Sequence, residues 1–228
     1  MANLVAIHAD CEDLVFLKPL QKSIAGLDGV SVDWHCLNSE YSHEIAQDAI
    51  KQPTARLICI FLHGRTDGFR GGDYENEQDP NKVSMFLRKG DMHAFKDKVV
   101  FCLSCNGNTH ASEVVDGGAI AYLGFDDVPF VRYDPLTEDE IVQRSLTLHC
   151  QSLIRSAVEA GLSHFIHSGE TLAETASFIQ LWVRQSAVEF IRNNQSERYR
   201  NDIVSLFMVM ADTIKVYGNG DITWRDIM

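Results

Sequence analysis

The sequence is poor in several things, and each scarcity excludes something. It has only 5 Pro and 15 Gly among 228 residues, with no repeat, so collagen-like and low-complexity chains are excluded. No stretch approaches about 18 apolar residues, so no transmembrane helix is expected. The first ten residues, Met1 to Asp10, lack a basic segment before their apolar run, so no cleaved export signal is expected. Cations are scarce: 20 Lys+Arg against 32 Asp+Glu give a net charge of −12. Phosphate backbones and anionic membranes are held by dense Lys/Arg, so neither nucleic acid nor membrane is an expected partner.

What remains is the composition of a globular protein, 45% hydrophobic and 23% charged. The length fits one domain of residues 1–228 with a sizeable core. The six cysteines, with no export signal, are expected to be reduced thiols in a cytoplasmic protein. Cys102 and Cys105 form a lone C-x-x-C, but a zinc site needs a second pair, so no metal is expected there. His164, His167 and Glu170 lack a convincing third ligand, and Gly71-Gly72 is not followed by the Gly-Lys-Ser/Thr of a phosphate loop. No cofactor is expected.

Periodicity predicts strands over Leu4–Ala9, Val30–Leu37, Arg56–Leu62, Val99–Leu103 and Ala119–Phe125. The third and fourth are near-continuous apolar runs, the pattern of strands buried on both faces of a parallel sheet. Helical spacing lies between them, at Glu12–Ile24, Ser42–Lys51, Val83–Lys98 and Ala111–Asp116. Alternating elements of this kind predict an α/β three-layer fold with a mostly parallel central sheet. Arg65–Lys82 reads as a long mobile loop or loose hairpin, and Asp127–Leu136 as a loop. Residues 127–228 then read as helical, over Glu138–Ala160, Thr171–Asn193 and Glu197–Asp212. A closing C-terminal hairpin is expected around Gly218-Asn219-Gly220.

Open α/β sheets bind ligands at the carboxyl ends of their strands. Two predicted ends carry a reactive side chain followed by glycine: His63-Gly64 and Cys105-Asn106-Gly107. Consecutive parallel strands tend to be neighbours, so both should share one rim. A thiol beside an imidazole is the minimal dyad for nucleophilic catalysis. The backbone N–H groups of Gly64 and Cys105 would suit an oxyanion hole, worth about 2.7–4 kcal/mol per donor in known enzymes.

Strand-His63-Gly64, then strand-Ser104-Cys105-Asn106-Gly107, then a strand ending at Gly124-Phe125-Asp126-Asp127, resembles the caspase-like superfamily of cysteine proteases, which includes caspases, metacaspases, gingipains and CHAT-type proteases. The segment from Val216 to Trp224 is similar to the closing segment of gingipain-like chains, with Ile222 where Pro is usual. The resemblance covers residues 1–126 well and the helical part poorly. Leu103 and Ser104 stand where caspases have Gln-Ala. The resemblance implies a caspase-like fold and a cysteine endopeptidase in which His63 is general acid/base and Cys105 the nucleophile.

In the family the P1 pocket lies between the loop after the first strand and loops after later ones. Asp10 and Asp126 occupy those places here, and carboxylates pair with Arg or Lys, so a basic P1 residue is expected. The implied partners are a protein or peptide substrate and an activating small ligand or partner protein. A homo-oligomer and a bacterial antiviral or cell-suicide setting are compatible with the family. Two other readings are open: an inactive caspase-like domain serving as small-ligand receptor or scaffold, and a flavodoxin-like or receiver-like domain using Asp10 and Asp126 for a metal.

Overall fold

The computed structural model of the chain describes residues 3–74, 84–126, 128, 140–196 and 200–228. Six strands form one sheet: β1 (Asn3–Ala9), β2 (Ser31–Leu37), β3 (Ala55–Phe61), β7 (Val99–Leu103), β8 (Ala121–Gly124) and β9 (Lys215–Gly218). Their order is β2-β1-β3-β7-β8-β9, parallel throughout except for β9, which runs antiparallel to β8. All five residues of β7 are buried, as are six of seven in β3, so both faces of the sheet centre are covered.

One face is covered by α2 (Glu40–Lys51), the 3₁₀ segment Lys89–Phe95 and α3 (Ala111–Asp116). On the other side lie the 3₁₀ segment Glu12–Leu17, α1 (Leu20–Ala25), α4 (Glu140–His167) and α5 (Leu172–Asn193), with α6 (Arg200–Thr213) packed on α5. The predicted first helix is therefore two pieces. Pro19 divides them, since it has no N–H to continue a helical ladder. Capping boxes begin two of the helices: Ser39 with Ser42 for α2, and Thr171 with Glu174 for α5. On the helical side, α4 passes close to its neighbours at Gly161, where an added Cβ would meet Ile179 at 2.5 Å.

Two expectations need correcting. Of the two readings of Arg65–Lys82, the described part is a hairpin, β4 (His63–Arg65) with β5 (Gly68–Arg70), extended by β6 (Met85–Arg88) into a three-stranded antiparallel sheet. Residues 75–82 of that loop, and the loop at 127–136 apart from Val128, lie outside the described residues. The helix expected across Val83–Lys98 is accordingly a strand followed by a 3₁₀ turn.

The C-terminal hairpin does not form. After β9 the chain gives its carbonyls to the start of α5: Leu172 N–H donates to Ile222 O and Ala173 N–H to Gly220 O. Thr223 makes a single antiparallel bridge with Thr171 and then, with Asp226, caps the short α7 (Trp224–Ile227). The Asn-Gly turn is present, but a capping box competes for the residues a returning strand would need.

Among the described residues no helix is long and apolar enough to cross a membrane.

Candidate active site

Strands β1, β3 and β7 are neighbours in the sheet, so their carboxyl ends lie side by side. The chain leaves them at Asp10-Cys11, at Leu62-His63 and at Ser104-Cys105. His63 is the middle of the three, with a cysteine on either side. The strand order reverses direction between β1 and β3, and crevices of doubly wound sheets form at such a point.

The contact between Gly64 and Cys105 sets the geometry. A Cβ on Gly64 would lie 1.6 Å from the Cys105 carbonyl oxygen and 2.5 Å from Ser104 Oγ. Only a glycine lets the two backbones touch, and the touch brings the residue after His63 onto the peptide of Cys105 itself. Beyond Cys105 the chain turns sharply. Asn106 is in the left-handed region at φ 55°, which asparagine tolerates better than most residues, and Gly107 N–H donates back to Ser104 O at 3.1 Å. Tyr122 Oη, fully buried, donates to Gly107 O at 2.8 Å and fixes the far side of the turn.

A second tether joins the same two loops. His110 is buried completely, and its Nε2–H donates to Arg65 O at 2.6 Å. The acceptor is a carbonyl, so this nitrogen carries the proton. The ring of His110 also meets Phe69 edge-on, with centroids 5.0 Å apart. The hairpin after His63 is thereby held to the turn after Cys105 at two separate points.

Cys11 and Asp13 both approach the His63 imidazole. Cys11 Sγ lies 3.2 Å from His63 Nε2, and Asp13 Oδ2 lies 4.0 Å from the same nitrogen. Burial pushes the Cys11 thiol up to about 11, so at neutral pH it is protonated. It is therefore a weak donor beside the imidazole and a poor nucleophile. Cys105 is only partly buried, and its thiol donates to Val128 O over 3.7 Å.

A cavity of about 630 Å³ opens at Cys105, a volume typical of small-molecule and peptide side-chain sites. One wall is the outer face of α6, where Asp202, Ser205, Leu206 and Val209 recur at helical spacing. Asp126 and Val128 supply another. The cavity thus combines two carboxylates with an apolar surface beside a thiol.

Of the residues singled out from the sequence, Gly64 and Cys105 are in contact, His63 stands one residue before that contact, and Asp126 lines the same cavity as Cys105. Asp10 does not join them. Its carboxylate is held by Lys18 Nζ at 2.8 Å, and it is not part of the cavity wall. Asp10 follows β1 and Asp126 follows β8, three strand positions away, or about 14 Å at ordinary strand spacing. The two acids therefore do not converge on one ion, and among the described residues no three His, Cys, Asp or Glu side chains do. His164 is engaged otherwise: its Nε2 contacts Glu170 Oε2 at 2.7 Å while the ring stacks on Phe178 with centroids 4.0 Å apart.

Sequence reasoning missed Cys11, His110 and Asp202. Cys11 carried a readable signal, since it follows the strand next to the one that ends at His63. Asp202 carried a weaker one, the apolar pair Leu206 and Val209 on an outward helix face. His110 carried none.

No family model matches the chain, and no curated protein matches it.

Proposed function

We propose that the protein is a cysteine endopeptidase of the caspase-like type, with Cys105 as nucleophile, His63 as general acid/base and a preference for Arg or Lys at P1. The observation that carries this reading is the backbone contact of Gly64 with Cys105, which puts the residue after the imidazole against the peptide of the thiol. The sheet order, with both strand ends adjacent, supports it.

The chemistry runs as follows. The Cys105 thiol gives its proton to His63, and the thiolate attacks the scissile carbonyl carbon. The oxygen of the tetrahedral intermediate takes the electron pair and is stabilised by the N–H groups of Gly64 and Cys105. Collapse breaks the C–N bond, and His63 returns its proton to the leaving amine. Water, deprotonated by His63, then attacks the thioester, and the acid product leaves with Cys105 restored as a thiol. The P1 side chain enters the cavity beside Cys105, where Asp126 and Asp202 favour a cation and Val128, Leu206 and Val209 cover its methylene stem. Asp10, already neutralised by Lys18, has no part in that pocket.

Cys11 adds regulation to this reading. Its sulfur lies against the His63 imidazole, so the Cys11 thiol competes with Cys105 for that ring. The same contact favours a second reading, an inactive domain that binds a ligand at this rim, in which Cys105 stays a neutral thiol beside Val128 O.

Fluorogenic peptides with Arg, Lys, Asp or Leu at P1, assayed with wild type and Cys105→Ala, separate the two. Cleavage after Arg or Lys that disappears in Cys105→Ala is expected. Activity surviving the substitution removes the protease reading, and preference for Asp removes the pocket assignment.

A further inference from the structure

The opposite rim of the sheet carries a second cavity, of about 450 Å³, whose chemistry contrasts with that of the whole chain. Its wall includes Lys51, Arg56, His93, Lys96, Asp97 and Lys98. Four cations against one carboxylate give the wall a net charge of +3 with His93 neutral, in a protein of net charge −12. The residues come from three places. Lys51 ends α2, Arg56 is the second residue of β3, and His93 to Lys98 lead into β7. Leu57 pairs with Val99, so Arg56 and Lys98, each one residue earlier, stand side by side.

Part of this charge has a structural reason. Lys98 is buried, 4% exposed, and its Nζ donates to Gln52 O at 2.7 Å, the carbonyl that caps α2. A cation suits a helix carboxyl end. Lys51 is on the same helix end and pairs with Asp48. Arg56 and Lys96 have no such reason: among the described residues neither has an ion-pair partner, and both are exposed toward the cavity. Like charges collected in excess of their counterions repel, and the Lys98 ammonium is held below its ordinary range by burial first and by Arg56 second, with Asp97 offsetting part of this. An anion in the cavity would relieve that repulsion. Asp97, at φ 60°, holds the corner between Lys96 and Lys98 through its N–H bond to Gly118 O.

We infer that this cavity is a binding site for a small, multiply charged anion of the phosphate-ester or pyrophosphate class, held by Arg56, Lys96 and Lys98. The volume suits a ligand no larger than a mononucleotide. The acidity of the rest of the chain argues against a nucleic-acid strand, whose flanking phosphates would meet a negative surface. The site is independent of the proposed protease chemistry.

The test is titration of the full chain with inorganic pyrophosphate and, separately, with metal-free ADP, read by calorimetry and by melting temperature. Wild type is expected to bind pyrophosphate and to be stabilised in proportion to ligand concentration. Arg56→Gln and Lys96→Gln are each expected to weaken binding about tenfold, a loss of one charge-assisted contact, and the double variant to abolish it. Both side chains are exposed, so the ligand-free melting temperatures should match wild type. Tighter binding of ADP than pyrophosphate would identify a nucleotide as the ligand, and equal binding a free phosphate group. The inference is overturned if pyrophosphate does not bind, if the double variant binds as well as wild type, or if duplex DNA displaces pyrophosphate more effectively than ADP does.

Discussion

Gly64 and Cys105 touch backbone to backbone, at a distance that leaves no room for a side chain on Gly64. Any larger residue there would have to push the His63 hairpin away from the Cys105 turn. Gly64→Ala is therefore expected to destabilise the fold by about 1–3 kcal/mol, the range for overpacking a close contact. It should also lower peptide cleavage by more than the loss of folded protein explains. Urea unfolding alongside turnover per folded molecule checks both. An Ala variant with wild-type stability and rate would mean that the contact is dispensable.

The hydrogen bond from His110 to Arg65 O ties the same two loops from the other side. His110→Phe keeps a ring beside Phe69 but leaves the Arg65 carbonyl without its donor, which costs about 0.5–1.5 kcal/mol. The expected outcome is a lower melting temperature with the labelling chemistry of Cys105 retained but slowed. Unchanged stability would show that Arg65 O finds another donor.

The thiols differ in how hard they are to ionise, and this predicts an order of alkylation. Burial raises Cys11 and Cys150 to about 11 and Cys102 to about 12, and raises Cys59 further still. Thiolate is the reactive form and these four thiols are also buried, whereas Cys105 is only partly buried, so at pH 7.5 iodoacetamide should modify Cys105 well before any of them. Raising the pH toward 11 should bring in Cys11. Peptide mapping after timed alkylation checks the order, and an inert Cys105 would favour the receptor reading over the protease.

Two buried histidines predict how stability depends on pH. His8 is fully buried, and burial is the largest influence holding it below the ordinary histidine value of 6.5. His43 is held down the same way. A group whose folded value is lowered is more easily protonated when unfolded, so acid favours the unfolded chain. Stability conferred by the neutral rings is present above pH 6.5 and is expected to fall as the pH drops below it. Urea unfolding between pH 7.5 and 5 should show the decline, with a shallower slope in His43→Gln. A slope unaffected by that substitution would assign the effect elsewhere.

The acids of the cavity are expected to differ in weight. Asp126 is partly buried beside Cys105, whereas Asp202 lies on the exposed face of α6. Asp126→Asn should therefore reduce kcat/KM for P1 Arg substrates by about tenfold or more, the scale of one charge-assisted contact. Asp202→Asn should have a smaller effect that vanishes in high salt. Equal, salt-independent losses would place both acids in direct contact with P1.

Much of this layout could be read before any coordinates. The apolar runs of β3 and β7 announced strands covered on both faces, and their abrupt ends at His63-Gly64 and Ser104-Cys105 placed two reactive groups on one rim. Helix α3 was legible to the residue, because its short apolar pattern is bounded by glycines at 107 and 117. What could not be read depended on contacts distant in sequence. The β4–β5 hairpin, open as one of two readings, could not be placed, because β4 buries none of its residues and β5 only two, too few for a periodic signal. The C-terminal hairpin was a sound turn signal overridden by the capping box of Thr223 and Asp226 and by bonds to the start of α5. The pairing of Asp10 with Lys18, eight residues away around a broken helix, was equally invisible and removed one of the two acids expected at P1.

The most direct measurement is active-site labelling with a peptidyl-arginine chloromethyl ketone, followed by mass mapping of the modified cysteine. Such a reagent needs a thiolate, an oxyanion hole and a cationic P1 pocket in one place. A single adduct on Cys105 is expected, suppressed in His63→Ala and competed by arginine peptides. An adduct on Cys11, or labelling of Cys105 at the same rate without His63, would contradict it.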